Sequence, residues 1–311
     1  MSKVVYAIEP HFQEQGSNFK MAPFQAWHAI GGRTQKVYTF PKLIDSLSYK
    51  VDFPKFYDTR KRCVLRFVEA CTIRHDCFPE YMTHETIPMI WDCWPRYFEK
   101  VADWLKKYRV KAAIFTASYN ALKIKERIPQ LNVCTITEGI DITKYDEGKE
   151  LKDRDIDLLE YGRIERNYFK KYVSGINHVN TKNSRGRMST WEKLLYTIST
   201  SKICVALPRC DVDPDFTGGI ETLTQRFWEG MLSRCVLIGR APRELIDLIG
   251  YDPVINIDRE NAEEQVQDIV AHIEDYQPLV DRNREVALKM APWEIRMKQI
   301  MDWLNNLGYD A

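Results

Sequence analysis

The chain has 311 residues, with 45 Lys and Arg against 44 Asp and Glu, so its formal net charge is +1. This length fits two α/β domains of ordinary size, and 44% hydrophobic residues are enough to fill their cores. A net charge this small provides no basic face for a phosphate backbone, so nucleic acid is excluded as an expected partner.

Targeting and redox signals are the next features that the sequence offers. There is no charged leader followed by an apolar core and no run of 18 apolar residues, so neither a signal peptide nor a membrane span is predicted. The eight cysteines form no CxxC pair, and Cys134 and Cys204 lie in apolar runs. Free buried thiols and a cytoplasmic location are therefore expected. The cluster of Cys71, His75 and Cys77 lacks a second ligand pair at zinc spacing, so no metal site is predicted.

Short apolar runs alternate with amphipathic stretches through the first 136 residues. The predicted strands cover 4–8, 37–40, 89–91, 112–116 and 133–136, and the predicted helices cover 98–108 and 120–127. Strands that alternate with helices over this length indicate a mainly parallel, doubly wound sheet.

A polar linker at about 139–152 separates this half from a second half with the same alternation. Strands are predicted at 156–161, 203–207, 236–238 and 254–257, with helices at 191–199, 244–249, 263–274 and 281–304. Pro292 should break or kink the last of these helices. The domains are therefore expected at 1–145 and 153–290, with a terminal helix in 291–311 that can pack back on the first domain.

The segment 218–239 is the most distinctive part of the sequence. Gly218 and Gly219 precede Glu221, and Thr222 is followed three residues later by Gln225. That spacing is typical of a capping box, so a helix is predicted to begin at this point. Its free N–H groups and positive dipole end would suit a phosphate.

Glu229 lies on the same predicted helix, seven residues after Thr222. Two helical turns would place its carboxylate on the same face, roughly 10 Å along the axis. A diphosphate at the helix start and a carboxylate at that distance would suit a nucleotide-sugar, with Glu229 accepting hydrogen bonds from the ribose hydroxyls.

Three motifs of the second half occur in the order and separation of a known family. They are CTITEGIDITKY at 134–145, IDLLEYGR at 156–163, and the E-x7-E pair of Glu221 and Glu229, which is followed by the strand CVLIG. Over about residues 131–300 the chain resembles the group-1 glycosyltransferases of the GT-B fold, among them the short bacterial CgeB-like branch. The first 130 residues match only in their strand-helix rhythm.

The resemblance implies an α/β fold of two Rossmann-like doubly wound domains that face a cleft, with the acceptor on the first and the nucleotide-sugar on the second. It implies that Arg163 neutralises the departing diphosphate, that Glu221 contacts the transferred sugar and that Glu229 binds the ribose. The other implied donor-binding residues are Gly218, Gly219, Thr222 and Thr224. Cationic side chains and a helix N-terminus would replace a metal, so no cofactor or metal is expected, and transfer with retention is implied.

The sequence departs from the family pattern in two places. The family glycines follow its first glutamate, whereas Gly218 and Gly219 precede Glu221. The family lysine after the Gly-Arg element has no clean match, and Lys170, Lys171 and Arg166 are the candidates at unusual offsets.

Acceptor-side candidates come from the first domain. Asp92 stands between Trp91 and Trp94 at a predicted strand end, where the tryptophans could stack on an acceptor sugar. His11 lies on the loop after the first strand. The alternatives are that both tryptophans are core with Asp92 capping the next helix, and that His11 is structural. If the enzyme inverts, Asp92 or His11 would be its base.

The prediction is thus a hexosyltransferase-type glycosyltransferase that moves a sugar from a nucleotide-diphosphate donor to a glycan or lipid-linked acceptor hydroxyl in polysaccharide biosynthesis. A nucleotide-sugar epimerase and a catalytically degenerate binding subunit are the alternatives. Peripheral contact with the inner face of the membrane is a further expectation, through a basic stretch that includes Lys170, Lys171, Lys182, Arg185 and Arg187. The nucleotide, sugar, acceptor and oligomeric state stay open.

Overall fold

A computed structural model of the chain describes residues 3–10, 19–56, 61–163, 167–184 and 186–311. The chain divides into two compact units. Unit 1 comprises Met1–Glu138 and Trp293–Ala311, and unit 2 comprises Gly139–Pro292. Within the described ranges, no helix is both long and apolar enough to cross a bilayer.

Unit 1 alternates strands with helices in chain order. Its first elements are β1 (Lys3–Ile8), α1 (Met21–Ala29), β2 (Thr34–Gln35), α2 (Lys42–Lys50), β3 (Arg62–Glu69) and α3 (Ile73–Asp76). They are followed by β4 (Glu85–Trp91), α4 (Pro95–Lys107), β5 (Ala112–Phe115), α5 (Ser118–Arg127) and β6 (Asn132–Thr135). The sheet is parallel. Apolar clusters pack on it, and one of them includes the strand residues Leu65, Met89 and Ile114.

The strand β3 is absent from the sequence prediction because a charge interrupts its apolar run. Arg66 stands in the middle of β3 and is 2% exposed. Its Nε donates to the carbonyl of Asp76 at 2.5 Å, and its Nη1 lies 3.5 Å from Glu80. The prediction of a strand at 37–40 is wrong, because the strand that pairs with β1 is Thr34–Gln35.

Unit 2 repeats the alternation around a second parallel sheet. Its elements are β7 (Ile156–Leu159), β8 (His178–Val179), α6 (Trp191–Ser199), β9 (Ser201–Ala206), α7 (Arg209–Val212), α8 (Pro214–Thr217), α9 (Gln225–Leu232), β10 (Val236–Gly239), α10 (Arg243–Ile249), β11 (Val254–Asn256), α11 (Ala262–Ala271) and α12 (Gln277–Met290). The strand order is β11-β10-β9-β7-β8. Two apolar clusters, each made of strand and helix residues, pack against this sheet.

The chain then returns to unit 1 through α13 (Trp293–Asn306) and β12 (Tyr309–Asp310). The predicted break at Pro292 is confirmed, since α12 ends at Met290 and α13 begins at Trp293. The helix α13 packs on α1, and β12 joins the sheet beside β1. Each unit is therefore Rossmann-like, as the α/β prediction required.

Candidate functional site

The strands of unit 2 end together at one edge of their sheet. β7 lies in the interior of the sheet, with β8 on one side and β9 on the other. The chain therefore reverses its direction of strand addition between β7 and β9. Ligands of open α/β sheets bind outside the carboxyl ends of the strands at such a reversal.

A narrow crevice lies at this reversal. We call it the switch-point crevice, and its lining residues are Glu160, Tyr161, Asn167, Val205, Leu207, Val212 and Arg226. Glu160 and Tyr161 directly follow β7, and Leu207 directly follows β9. Arg226 comes from the first turn of α9, so a positive side chain from the start of a helix lines the crevice.

A larger cavity, the β10 cavity, adjoins the crevice and shares Leu207 and Val212 with it. Its volume is about 390 Å³, which is in the size range of small-molecule sites. The other lining residues are Tyr168, Asp211, Gly239, Arg240, Asn256, Ile257 and Arg259. Two arginines thus line this cavity at the ends of β10 and β11.

Glu229 is buried behind the crevice, with 6% of its surface exposed. Tyr161 donates its hydroxyl to Oε2 of Glu229 at 2.6 Å, and Tyr145 donates to Oε1 at 3.3 Å. Burial raises the pKa of Glu229 above its ordinary value, although the Tyr161 hydrogen bond and the Arg226 charge act in the opposite direction. In this conformation Glu229 reaches the crevice through Tyr161.

Arg226 is held over the ring of Tyr161, with its guanidinium carbon 4.7 Å from the ring centroid. The next residue after Tyr161 is Gly162, whose φ is +105°. A Cβ built on Gly162 would lie 2.6 Å from Nη2 of Arg226. A Cβ at this position would therefore displace the end of the Arg226 side chain, and the positive φ favours glycine here.

Glu160 holds the backbone of the segment that begins at Asn167, which lines one side of the crevice. Its Oε1 accepts the N–H groups of Tyr168 at 2.7 Å and Phe169 at 3.3 Å. Its Oε2 lies 3.1 Å from Nε2 of His178. Nδ1 of His178 accepts the N–H of Val173 at 3.2 Å, so the proton of a neutral ring is on Nε2 and points at Glu160.

Glu221, predicted to contact the sugar, is engaged by the protein. One oxygen forms an ion pair with Nη1 of Arg240, and the other accepts the N–H of Arg243 at 2.5 Å, in the first turn of α10. Hydrogen bonds to Asp211 and Glu221 raise the pKa of Arg240 above its ordinary value. Glu221 thus joins the start of α10 to the wall of the β10 cavity.

The capping-box prediction is wrong, because α9 begins at Gln225 with Thr224 as its N-cap. Thr222 is 7% exposed and lies before the helix. Glu229 is consequently about one turn, ~6 Å, from the helix start instead of two. Thr224 makes no side-chain capping hydrogen bond.

The predicted glycines and Arg163 lie on exposed backbone of unit 2. Gly218 ends α8 with φ +60°, and Gly219 has φ +76° with open space where a Cβ would be. Arg163 is exposed, two residues after Tyr161. Arg166 and Arg185 are outside the described residues.

In unit 1, the prediction that two tryptophans stack on an acceptor is wrong. Trp91 and Trp94 are 2% and 3% exposed, and Trp91 packs against Trp293 and Phe19 in the core. Asp92 itself is exposed at the end of β4. Its φ is +53°, a backbone conformation that residues other than glycine seldom adopt. His11 lies outside the described residues.

Metal-ligand residues do not gather in the described part of the chain, where no three His, Cys, Asp or Glu side chains could hold one ion. His75 instead stacks on Tyr49, with ring centroids 3.7 Å apart, and faces Asp45. The expectation that the protein needs no metal stays a prediction.

Solved structures with the same architecture provide the comparison. Sucrose-phosphate synthase of Thermosynechococcus elongatus matches with a TM-score of 0.61, 12% identity, and coverage of 97% of this chain and 98% of that chain. HepE of Anabaena, in complex with UDP and glucose, matches with a TM-score of 0.57 and 7% identity over 97% and 99%. AviGT4, a glycosyltransferase involved in Avilamycin A biosynthesis, matches at 0.55 and 11% over 98% of both chains.

The chain has the GT-B fold. The predicted resemblance to GT-B glycosyltransferases is confirmed for the fold, because these neighbours include glycosyltransferases and cover nearly the whole chain. Identities of 7–12% show no more than the fold. Neither a family model nor a curated protein matches the sequence.

Tyr145 and Tyr161 are among the site residues that sequence reasoning missed. Both stand inside motifs that carried the resemblance, Tyr145 at the end of CTITEGIDITKY and Tyr161 just before Gly162. The available signal was a pair of aromatic hydroxyls at the ends of apolar segments. Nothing in the sequence showed that both hydroxyls point at Glu229.

Proposed function

We propose that this chain is a glycosyltransferase that moves a sugar from a nucleotide-diphosphate donor to an acceptor hydroxyl. The observation that carries the proposal is the switch-point crevice of unit 2, where Arg226 and the start of α9 lie at the carboxyl ends of β7 and β9. A diphosphate is the ligand chemistry that such an arrangement favours. HepE, which has the same fold, was solved with UDP-glucose.

In the proposed reaction, the diphosphate would leave towards the crevice. Arg226 and the exposed Arg163 would offset its growing negative charge, together with N–H groups at the start of α9. Tyr161, held by Glu229, would position Arg226 for this contact. Transfer with retention and without a metal belongs to the proposal, and so does an acceptor bound to unit 1.

A degenerate, binding-only subunit is the second candidate. Glu221 is engaged by Arg240 and Arg243, and Glu229 by two tyrosines. Such contacts hold the predicted carboxylates in structural roles and would leave nucleotide binding without transfer. Hydrolysis of a donor nucleotide-sugar, measured as release of the free diphosphate, separates the two candidates.

The first test is a thermal-shift screen with UDP, GDP, ADP, dTDP and CMP, with and without EDTA. A ligand at a hundred times its dissociation constant stabilises the folded state by about 2.7 kcal/mol. That is a rise of several degrees in melting temperature for a protein of this size. One diphosphate should stabilise the wild type in EDTA and fail to stabilise Arg226→Ala.

Arg234→Ala is the matched control for that substitution. Arg234 lies in the same unit and pairs with Glu150 and Asp281, away from the crevice. It should lower the melting temperature slightly and leave the response to the diphosphate intact. If no nucleotide stabilises a folded wild-type sample, the donor site is rejected.

A further inference from the structure

Unit 1 contains a buried guanidinium that forms no ion pair with any carboxylate in the described part of the chain. Arg296 lies in the first turn of α13 and is 1% exposed. Its Nε donates to the carbonyl of Thr137 at 3.2 Å, whereas Nη1 and Nη2 are buried and have no acceptor among the described residues. Burial lowers the pKa of Arg296 to about 10, so the side chain keeps its charge at neutral pH.

The position of Arg296 on its helix adds to the local positive charge. The first turn of a helix carries the positive end of the dipole, where an acidic side chain is stabilising and a cation is not. Helical side chains lean towards the N-terminus, so the guanidinium adds its charge to that end. The acidic residue of this turn, Glu294, is exposed. An unpaired buried charge costs several kcal/mol, and a bound anion would offset that cost.

Two further donors without acceptors lie beside this helix turn. Nε1 of Trp293 and Nε1 of Trp91 are buried, and neither has a hydrogen-bond partner among the described residues. The two rings pack with centroids 6.0 Å apart. Trp293 precedes Arg296 by three positions on α13, and Trp91 is the last residue of β4. Buried polar groups are nearly always hydrogen-bonded, so these N–H groups are available to an acceptor that the described residues do not supply.

We propose that unit 1 binds an oxyanion, a carboxylate or a phosphate group, at Arg296. The free Nη1 and Nη2 form a planar fork that matches two oxygens of one such group, and the tryptophan N–H groups are donors for the remaining oxygen. The site lies at the carboxyl end of the unit 1 sheet, where open α/β sheets bind ligands. Resting on the proposed function, the oxyanion is a group of the acceptor, such as a uronate carboxylate or a sugar phosphate.

The test measures binding of inorganic phosphate, glucuronate, glucose 6-phosphate and glucose by thermal shift at fixed ionic strength. Arg296→Met removes the charge at similar length, and it should fold because it also removes an unpaired buried ion. The anions should stabilise the wild type in a saturable way, glucose should not, and Arg296→Met should bind them at least tenfold more weakly. Equal anion binding by wild type and Arg296→Met would overturn the site.

Two controls keep the result specific. Arg234→Met, which removes a paired arginine of unit 2, should bind the anions as the wild type does. Trp293→Phe keeps an aromatic ring but removes the indole N–H donor, so it should weaken anion binding even if Arg296→Met does not fold. Unchanged binding in Trp293→Phe would remove Trp293 from the site.

The same screen separates this site from the proposed donor site. Because phosphate could also occupy the crevice of unit 2, each anion is measured in Arg226→Ala, which removes the crevice arginine and should retain the Arg296-dependent response. A response to phosphate alone would support the oxyanion site and overturn its assignment to the acceptor. If the wild type binds the anions but no nucleotide, the result counts against the donor site only. If it binds a nucleotide but shows no Arg296-dependent anion binding, the result counts against the Arg296 site only.

Discussion

Glu229 is a buried residue of unit 2 whose charge state should make the stability of the protein depend on pH. Its pKa is raised in the folded state by burial, so the protonated form is favoured by folding. An acidic group whose pKa is raised by folding contributes stability that is fully present below its unfolded pKa. That stability is lost as the pH rises through the folded pKa. Relative to Glu229→Gln, the wild type should therefore gain stability as the pH falls from 7 to 4.

Urea unfolding of both proteins across this pH range measures that difference. The neutral amide of Glu229→Gln can still accept from Tyr161, so the substitution removes the titration without emptying the site. A stability difference between the two proteins that does not change with pH would contradict the prediction. So would a gain of the wild type with rising pH.

At Gly162, one added carbon atom would change the position of the Arg226 side chain. In Gly162→Ala the new Cβ meets Nη2 of Arg226, and the positive φ strains the backbone by about 1–2 kcal/mol. Gly250→Ala has comparable strain, with φ +83° and open space around its Cβ. Both variants should lose similar stability, but only Gly162→Ala should weaken binding of the diphosphate found in the screen. Equal binding by the two variants would show that the position of Arg226 is unimportant.

At the scale of elements, the start of α9 differs from an ordinary helix start. Thr224 is the N-cap of α9 without a side-chain capping bond, whereas Thr190 caps α6 by accepting the N–H of Lys193 at 3.3 Å. Thr190→Ala should cost about 1 kcal/mol of unfolding free energy, and Thr224→Ala should cost much less. If the start of α9 binds the diphosphate, Thr224→Ala should weaken its binding, while Thr190→Ala should not. Chemical denaturation and ligand titration of both variants provide the comparison.

Elements with a regular apolar period could be predicted from the sequence, and those that depend on distant partners could not. α6 was predicted with its observed bounds, and Pro292 marked the break before α13. β3 was missed because Arg66 is neutralised by Glu80, which lies 14 positions later in the chain. The capping box failed as well: Thr222 is buried before the helix, and α9 begins only at Gln225.

For the whole molecule, alternation of strands and helices was enough to predict two Rossmann-like units. The site was predictable only in part. The spacing of Glu221 and Glu229 placed the first just before a helix and the second on it, but their partners come from elsewhere in the chain. Arg240 lies 19 positions after Glu221, and Tyr145 lies 84 positions before Glu229. Pairing over such distances is set by the topology of the sheet, which local periodicity does not encode.

The return of the chain to unit 1 makes that unit dependent on its last residues. Trp293, Met297, Ile300 and Leu304 of α13 are all fully or almost fully buried in unit 1. Each such side chain contributes about 1.5–3 kcal/mol, so losing four of them approaches the total stability of an ordinary domain, roughly 5–15 kcal/mol. A chain that ends at Pro292 should therefore have an unfolded unit 1, while unit 2 keeps its own core.

Limited proteolysis and nucleotide titration of this truncated chain test the dependence. Unit 2 should resist the protease and still bind the diphosphate, whereas unit 1 should be degraded. A chain that ends at Asn306 is the matched control, because it loses only β12, which pairs with β1 at two positions. Protection of unit 1 in the chain that ends at Pro292 would show that α13 contributes far less than its burial indicates. Loss of both units at once would show that unit 2 does not fold without unit 1.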